Sequence, residues 1–205
     1  MKLFYQTHSP YARQVLVLAY ETGLADRLAV IHHETSPTLR NEAVFAVNPL
    51  GKVPVLLLDD GTALFDSAVI CDYLDGLHDG PRLIPPSGAG RWRALRLQAL
   101  AHGIADAGGL LRQETVRRPA AYRYAAMSDG QTEKLVAAFD FLEREAVPDG
   151  PLDIGQIALA TALSWIEFRN LPGFREGRPR LARWYDRFAQ RPSMLATPLA
   201  GEVIE

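Results

Sequence analysis

Ser9-Pro10-Tyr11-Ala12 stands where a short apolar run, Leu3-Phe4-Tyr5, gives way to a helical pattern. The first backbone N–H groups of a helix have no intrahelical partner, and the aligned peptide dipoles make that end electropositive. An anion seated there is stabilised, and cysteine thiols at such positions have their pKa lowered to about 3.5–7.5. A Cys-Pro-Tyr-Cys dithiol would use this field for redox chemistry, but serine and alanine occupy the two thiol positions here. The field is then free to serve a thiol carried by a ligand, with Ser9 beside it. The simpler alternative makes Ser9 a helix N-cap and nothing more.

Two further segments bear on that choice. Asn48-Pro49-Leu50-Gly51-Lys52-Val53-Pro54-Val55 puts a proline at the start of a strand, where its missing N–H is tolerated only at an edge or beside a site. Asp66-Ser67 follows a strand and opens a helix, giving a second anion-receiving helix start that also carries a carboxylate. Together these could hold the ammonium and carboxylate of an amino acid. Other candidates are weaker. His8 is a possible general base but reads better as an exposed loop histidine; His32 and His33 are adjacent on a strand and point to opposite faces, against a shared metal. Arg112, Arg117 and Arg118 read as solvated, and Cys71, beside Ile70 and Leu74, as a small buried hydrophobe.

The elements that must position these residues follow from hydrophobic periodicity. Strands are expected at Leu3–Tyr5, Leu28–Ile31 and Val53–Leu58, with Asp60-Gly61 turning the chain into Ala63–Phe65. Helices are expected over Pro10–Thr22, ended by Gly23, and from Ser67 with Ile70, Leu74 and Leu77 on one side. A parallel first pair joined by a crossover helix, then an antiparallel pair, makes a mixed four-stranded sheet. The Pro- and Gly-rich stretch 79–90 is the expected linker. Beyond it the periodicity is helical: from Trp92 past Leu111, then Thr132–Val147, Ile154–Phe168 and Leu181–Ala189, with breaks at Pro148–Pro151, Pro172-Gly173 and Arg191-Pro192. Leu152-Asp153-Ile154-Gly155-Gln156-Ile157 can form a capping box with a hydrophobic staple. The expected organisation is therefore an α/β domain over 1–78, a linker over 79–90 and an all-helical domain over 91–205.

The composition is that of a globular protein: 205 residues, 48 % hydrophobic, 22 % charged, formal net charge −2. No block of like charge marks a nucleic acid or a membrane surface as partner. One cysteine excludes an intrachain disulfide framework and a cysteine-based zinc site, so no metal is expected. The N-terminal residues lack the apolar stretch of about 7–15 residues that a secretory signal needs, so a cytoplasmic location is expected.

From end to end the chain resembles cytosolic glutathione transferases. The likeness is carried by Ser-Pro-Tyr-Ala-Arg-Gln-Val (Ser9–Val15), Asn-Pro-Leu-Gly-Lys-Val-Pro-Val-Leu (Asn48–Leu56), Asp-Ser-Ala-Val-Ile-Cys-Asp-Tyr-Leu (Asp66–Leu74) and the second-domain cap at Asp153. The helix start, with Trp-Ile-Glu-Phe-Arg (Trp165–Arg169) and Gly-Arg-Pro (Gly177–Pro179), is similar to a bacterial branch with Ser-Pro-Phe at that position. The resemblance implies a thioredoxin-like N-terminal domain, an all-α helical-bundle C-terminal domain, glutathione as co-substrate and no prosthetic group. It implies that Pro54 is cis and that the Val53 backbone pairs with the cysteinyl part of glutathione. Asp66 and Ser67 would take the γ-glutamyl end, Lys52 the glycyl carboxylate, and Ser9, with Tyr5 as the alternative, the sulfur. Tyr11 and His102 would border the electrophile. It also implies a two-fold homodimer, with Asp106, three residues after Gly103, reaching the glutathione of the partner subunit. The activity implied is thiolate addition to small apolar electrophiles; the alternatives are a glutathione-dependent peroxidase or thiol-disulfide activity, or a non-catalytic interaction protein. The departure is the cap, Asp-x-x-Gln in place of Ser/Thr-x-x-Asp.

Overall fold

A computed structural model describes residues 1–145 and 150–201. The first strand, β1 (Lys2–Tyr5), leads through a tight turn into α1 (Pro10–Glu21) and a 3-10 turn at Ala25–Arg27, then β2 (Ala29–His32). A short helix α2 (Glu42–Phe45) follows, then β3 (Val55–Leu57), β4 (Ala63–Leu64) and α3 (Ser67–Asp75). The strand order is β2-β1-β3-β4, with β1 and β2 parallel and the other two pairings antiparallel. This is the expected mixed thioredoxin-like sheet. Because successive strand residues face opposite sides, Leu3, Tyr5 and Leu56 join the main core under α1 and α3, while Phe4 and Val55 pack with Val44 and Val53 on the other face.

The rest is helical: α4 (Gly88–Arg112), α5 (Ala125–Glu145), α6 (Ile154–Phe168), α7 (Pro179–Ala189) and α8 (Pro192–Leu195). Helix α4 starts inside the stretch expected as linker. Helix α5 starts seven residues before the expected Thr132; Val147 and part of the break at Pro148–Pro151 lie outside the described residues. At the end of α4 the chain widens into a π-helical turn, Gln113–Arg117, closed by the Arg118 N–H on the Gln113 carbonyl at 2.9 Å.

Helix α6 is the hub, buried along nearly its whole length between α4 and α1. Its approach to α4 is set by glycine: a Cβ at Gly155 would lie 2.6 Å from the Ala94 carbonyl oxygen, and one at Gly108 would lie 2.8 Å from the Trp165 ring. Gly103, by contrast, has open space where a Cβ would be. The N-terminus of α6 is half of the expected capping box. Asp153 accepts from the Gln156 N–H at 3.0 Å, but the Gln156 amide donates to the Pro151 carbonyl at 2.8 Å instead of reaching back to the cap.

Arg13 ties the sheet layer to the helices. It is buried, and its guanidinium donates to Ser164 Oγ at 2.5 Å on α6, to the Met194 carbonyl at 3.0 Å on α8 and to Thr197 Oγ1 at 3.4 Å. Arg112, expected in solvent, is buried as well. Among the described residues no helix is long and apolar enough to cross a membrane, and no group of three or more His, Cys, Asp and Glu could hold a metal ion.

Candidate active site

The turn before α1 is held from both sides. The Ser9 N–H donates to the Gln6 carbonyl at 3.0 Å, and the Trp165 indole N–H, from α6, donates to the His8 carbonyl at 3.0 Å. Pro10 fills the first helical position and Ser9 is the N-cap, its Oγ accepting from the Ala12 N–H at 3.2 Å. That bond occupies the oxygen and leaves the hydroxyl proton to be given elsewhere. Ser9 is thus an N-cap, as the simpler alternative had it, and its donor remains unused by the cap.

The second helix start is built the same way. Asp66, not Ser67, is the N-cap of α3: its Oδ1 accepts from the Ala68 N–H at 3.0 Å. The Val53–Pro54 peptide is cis, as the resemblance implied, and Phe65–Asp66 is cis too. Asn48 shapes the loop between. Its side chain donates to the Lys52 carbonyl at 2.9 Å and accepts from the Leu50 N–H at 3.0 Å, while Thr35 Oγ1 donates to the Gly51 carbonyl at 2.8 Å. Gly51 has φ +62° and the Phe45 ring occupies the place of its missing Cβ, so no other residue fits.

These elements bring Lys52, Val53, Pro54, Asp66, Ser67 and Asp106 round one cleft of about 270 Å³, with Tyr11 and His102 on its wall. The Tyr11 hydroxyl donates to Asp106 of the same chain. Burial, then the hydrogen bond and charge of Asp106 and the charge of Asp66, push the Tyr11 phenol well above its usual range, so it stays protonated. Asp106, expected to serve a partner subunit, faces this chain's own cleft. His102 pairs with Gln14, Nε2 to Oε1 at 2.8 Å; the amide oxygen only accepts, so Nε2 carries the proton. Burial lowers the His102 pKa and keeps the ring neutral. The Gln14 amide in turn lies 3.7 Å from the Cys71 sulfur, a fully buried thiol whose pKa burial raises.

Ser9 is not on that cleft's wall. It sits between Tyr11, which is, and His8, which lines a second cavity of about 430 Å³. His8 is not an exposed loop histidine: its side chain is 11 % exposed, with Nε2 at 3.8 Å from Glu34. Tyr5, the rival hydroxyl, is buried in the core beside Leu3, on neither cavity wall, and burial raises its pKa. The second cavity, walled also by Gln6, Glu34, Thr35 and Arg117, went unread in the sequence, because its residues come from three distant segments that only the fold assembles.

Models of the glutathione S-transferase N-terminal and C-terminal domains match residues 8–77 and 98–187. The chain belongs to the glutathione S-transferase family. A crystal structure of a glutathione transferase family member from Pseudomonas fluorescens Pf-5, with bound glutathione, superposes with TM-score 0.93 at 43 % identity, covering 98 % of this chain and 99 % of that one. A second structure of a family member from the same strain, with bound S-(propanoic acid)-glutathione, gives TM-score 0.89 at 44 % identity, covering 98 % and 100 %. Among curated relatives, an uncharacterized GST-like protein of Escherichia coli K12, YibF, is 32 % identical over 96 % of this chain and 98 % of its own. The relatives that are solved with glutathione are transferase family members matched over essentially their full length, so both halves of the family architecture are present here.

Proposed function

We propose that the protein is a glutathione transferase that binds glutathione in the cleft around Pro54 and Asp66 and activates its thiol at Ser9 for attack on a small electrophile. The observation that carries this is the Ser9 cap: its oxygen accepts from Ala12 and its proton is left to donate at an electropositive helix start. A thiolate seated there gains both the hydroxyl donor and the helix field, and each pKa unit of lowering is worth about 1.36 kcal/mol. In this reading Asp66, Ser67 and Asp106 take the γ-glutamyl end, Val53 and Pro54 the cysteinyl backbone, and Lys52 the glycyl carboxylate. The bound glutathione of the Pseudomonas fluorescens relative, at 43 % identity, supports the assignment of ligand. Residues 1–78 would be the tripeptide-binding unit and 91–205 the helical unit, paired in a two-fold homodimer. Serine at position 9 disfavours a mixed disulfide with the protein and so a thiol-disulfide exchange enzyme.

Calorimetry with glutathione and the Ser9→Ala variant test this together. The variant should raise the pKa of the bound thiol, read from thiolate absorbance, and cut turnover about ten- to a hundredfold, the worth of one donor to a charged group. Glutathione affinity should stay within a few-fold. A fully active Ser9→Ala enzyme would overturn the role of Ser9, and absence of glutathione binding would overturn the function.

A further inference from the structure

We propose that the second substrate carries a carboxylate and that Arg117 receives it in the 430 Å³ cavity between the β1–α1 turn, the segment after β2 and the end of α4. The inference rests on the transferase reading above and names its electrophile class.

The cavity adjoins the proposed sulfur position: Gln6 and His8, from the turn that leads into Ser9, line it. Opposite come Thr35, Thr38 and Glu34 from the β2 side and Arg117 from the π-helical turn. Among the described residues that line it, Leu39 is the one aliphatic side chain. An apolar electrophile filling this space would strip water from hydroxyl, amide and charged groups and return no hydrogen bonds, which is unfavourable. The cavity therefore offers polar partners beside apolar surface, which suits a substrate that carries both an apolar body and a polar group.

Its sign follows from which charges are already engaged. Glu34 keeps its negative charge, but both its oxygens are engaged within the wall, by the Gln6 amide at 2.6 Å and by His32 Nε2 at 2.6 Å, with His8 at 3.8 Å. The next arginine along, Arg118, is paired with Glu114 at 2.8 Å. Arg117 is half-buried at the wall and has no carboxylate within ion-pair distance among the described residues. It stands at the last position of the π-helical turn and lines the cavity. A guanidinium so placed offers a planar pair of donors, the match for a carboxylate. The reaction balances without a further reactant. For a chloro-arene, the thiolate sulfur forms the C–S bond, the C–Cl bond breaks and chloride leaves with its electron pair; the thiol proton has already gone to solvent.

The test compares 4-chloro-3,5-dinitrobenzoate with its neutral amide, 4-chloro-3,5-dinitrobenzamide, since the amide corrects for intrinsic reactivity and for the folding of each variant. Arg117→Gln should lower the benzoate-to-benzamide ratio of kcat/KM about ten- to a hundredfold, mainly through KM, because the carboxylate is remote from the reacting carbon. Arg117→Lys should restore part of the ratio as a point charge. An unchanged ratio in Arg117→Gln would overturn the proposal alone. So would a loss of glutathione affinity, by calorimetry, as large as the fall in the ratio, for that would place Arg117 at the tripeptide. If the unmutated enzyme conjugates neither compound, the transferase reading fails and this inference with it.

Discussion

Two hydroxyls stand two residues apart at the start of α1, and their partners separate their roles. The Ser9 oxygen is an acceptor for the helix and keeps its proton; the Tyr11 proton is committed to Asp106. Tyr11 is therefore expected to hold the Asp106 carboxylate in the cleft rather than to ionise a thiol. An interaction of that kind is made equally in ground and transition states, so its loss appears in KM. Tyr11→Phe should raise KM for glutathione about three- to tenfold, the worth of an ordinary hydrogen bond, with kcat retained. A steady-state assay in which kcat falls and KM holds would move the thiol donor from Ser9 to Tyr11. Asn48 belongs to the same scale. It was visible only as part of a motif, and the structure gives it a task, fixing the Lys52 carbonyl and Leu50 N–H before Pro54.

Helix α1 is anchored at both ends by elements far away in the chain. Near its start Arg13 reaches Ser164 on α6 and the Met194 carbonyl on α8. At its end Glu21 accepts from Arg191 Nε and Nη2, both at 2.7 Å, and from the Ser193 hydroxyl at 2.5 Å. Burial pulls the Glu21 pKa up, but the hydrogen bonds and charge of Arg191 and Ser193 together outweigh it and the net shift is downward. A folded pKa below the unfolded one means that the unfolded chain binds the proton first. The stabilisation is complete above the unfolded pKa, near 4.5, and is lost as pH falls through the folded value. Glu21→Gln should cost about 2 kcal/mol at pH 7, read by urea denaturation. The gap between variant and unmutated protein should close below pH 4, and a gap independent of pH would show that the contact acts by shape and not by charge.

At the scale of the whole molecule, the proposed homodimer would cover exposed apolar side chains: Val69 on α3 and Trp92 on α4 are 48 % and 68 % exposed. Sedimentation should give the mass of a dimer, and Val69→Arg should give a monomer; a monomeric unmutated protein would refute the assembly. The order of strands and helices was legible in the sequence because it rests on local physics. The short apolar run Leu3–Tyr5 placed β1, Pro10 after Ser9 opened α1, Asp60-Gly61 set the hairpin, and Asp153 capped α6 within a few residues of its own position. Ser9 and Asp66 were legible as helix starts on the same local physics. What required the tertiary structure depends on neighbours distant in sequence. Arg13 and Arg112 carry the polar signature of surface residues, yet both are buried, and the His8 side chain is only 11 % exposed; for Arg13 the cause is a set of partners from distant segments. The close crossing of α4 and α6 falls at Gly155 and Gly108 rather than Gly103, because it is fixed by where two helices meet and not by the pattern on one. The polar cavity at Arg117 exists only once Gln6, Glu34 and the π-helical turn stand face to face, and no one-dimensional spacing records a space enclosed by three separate segments.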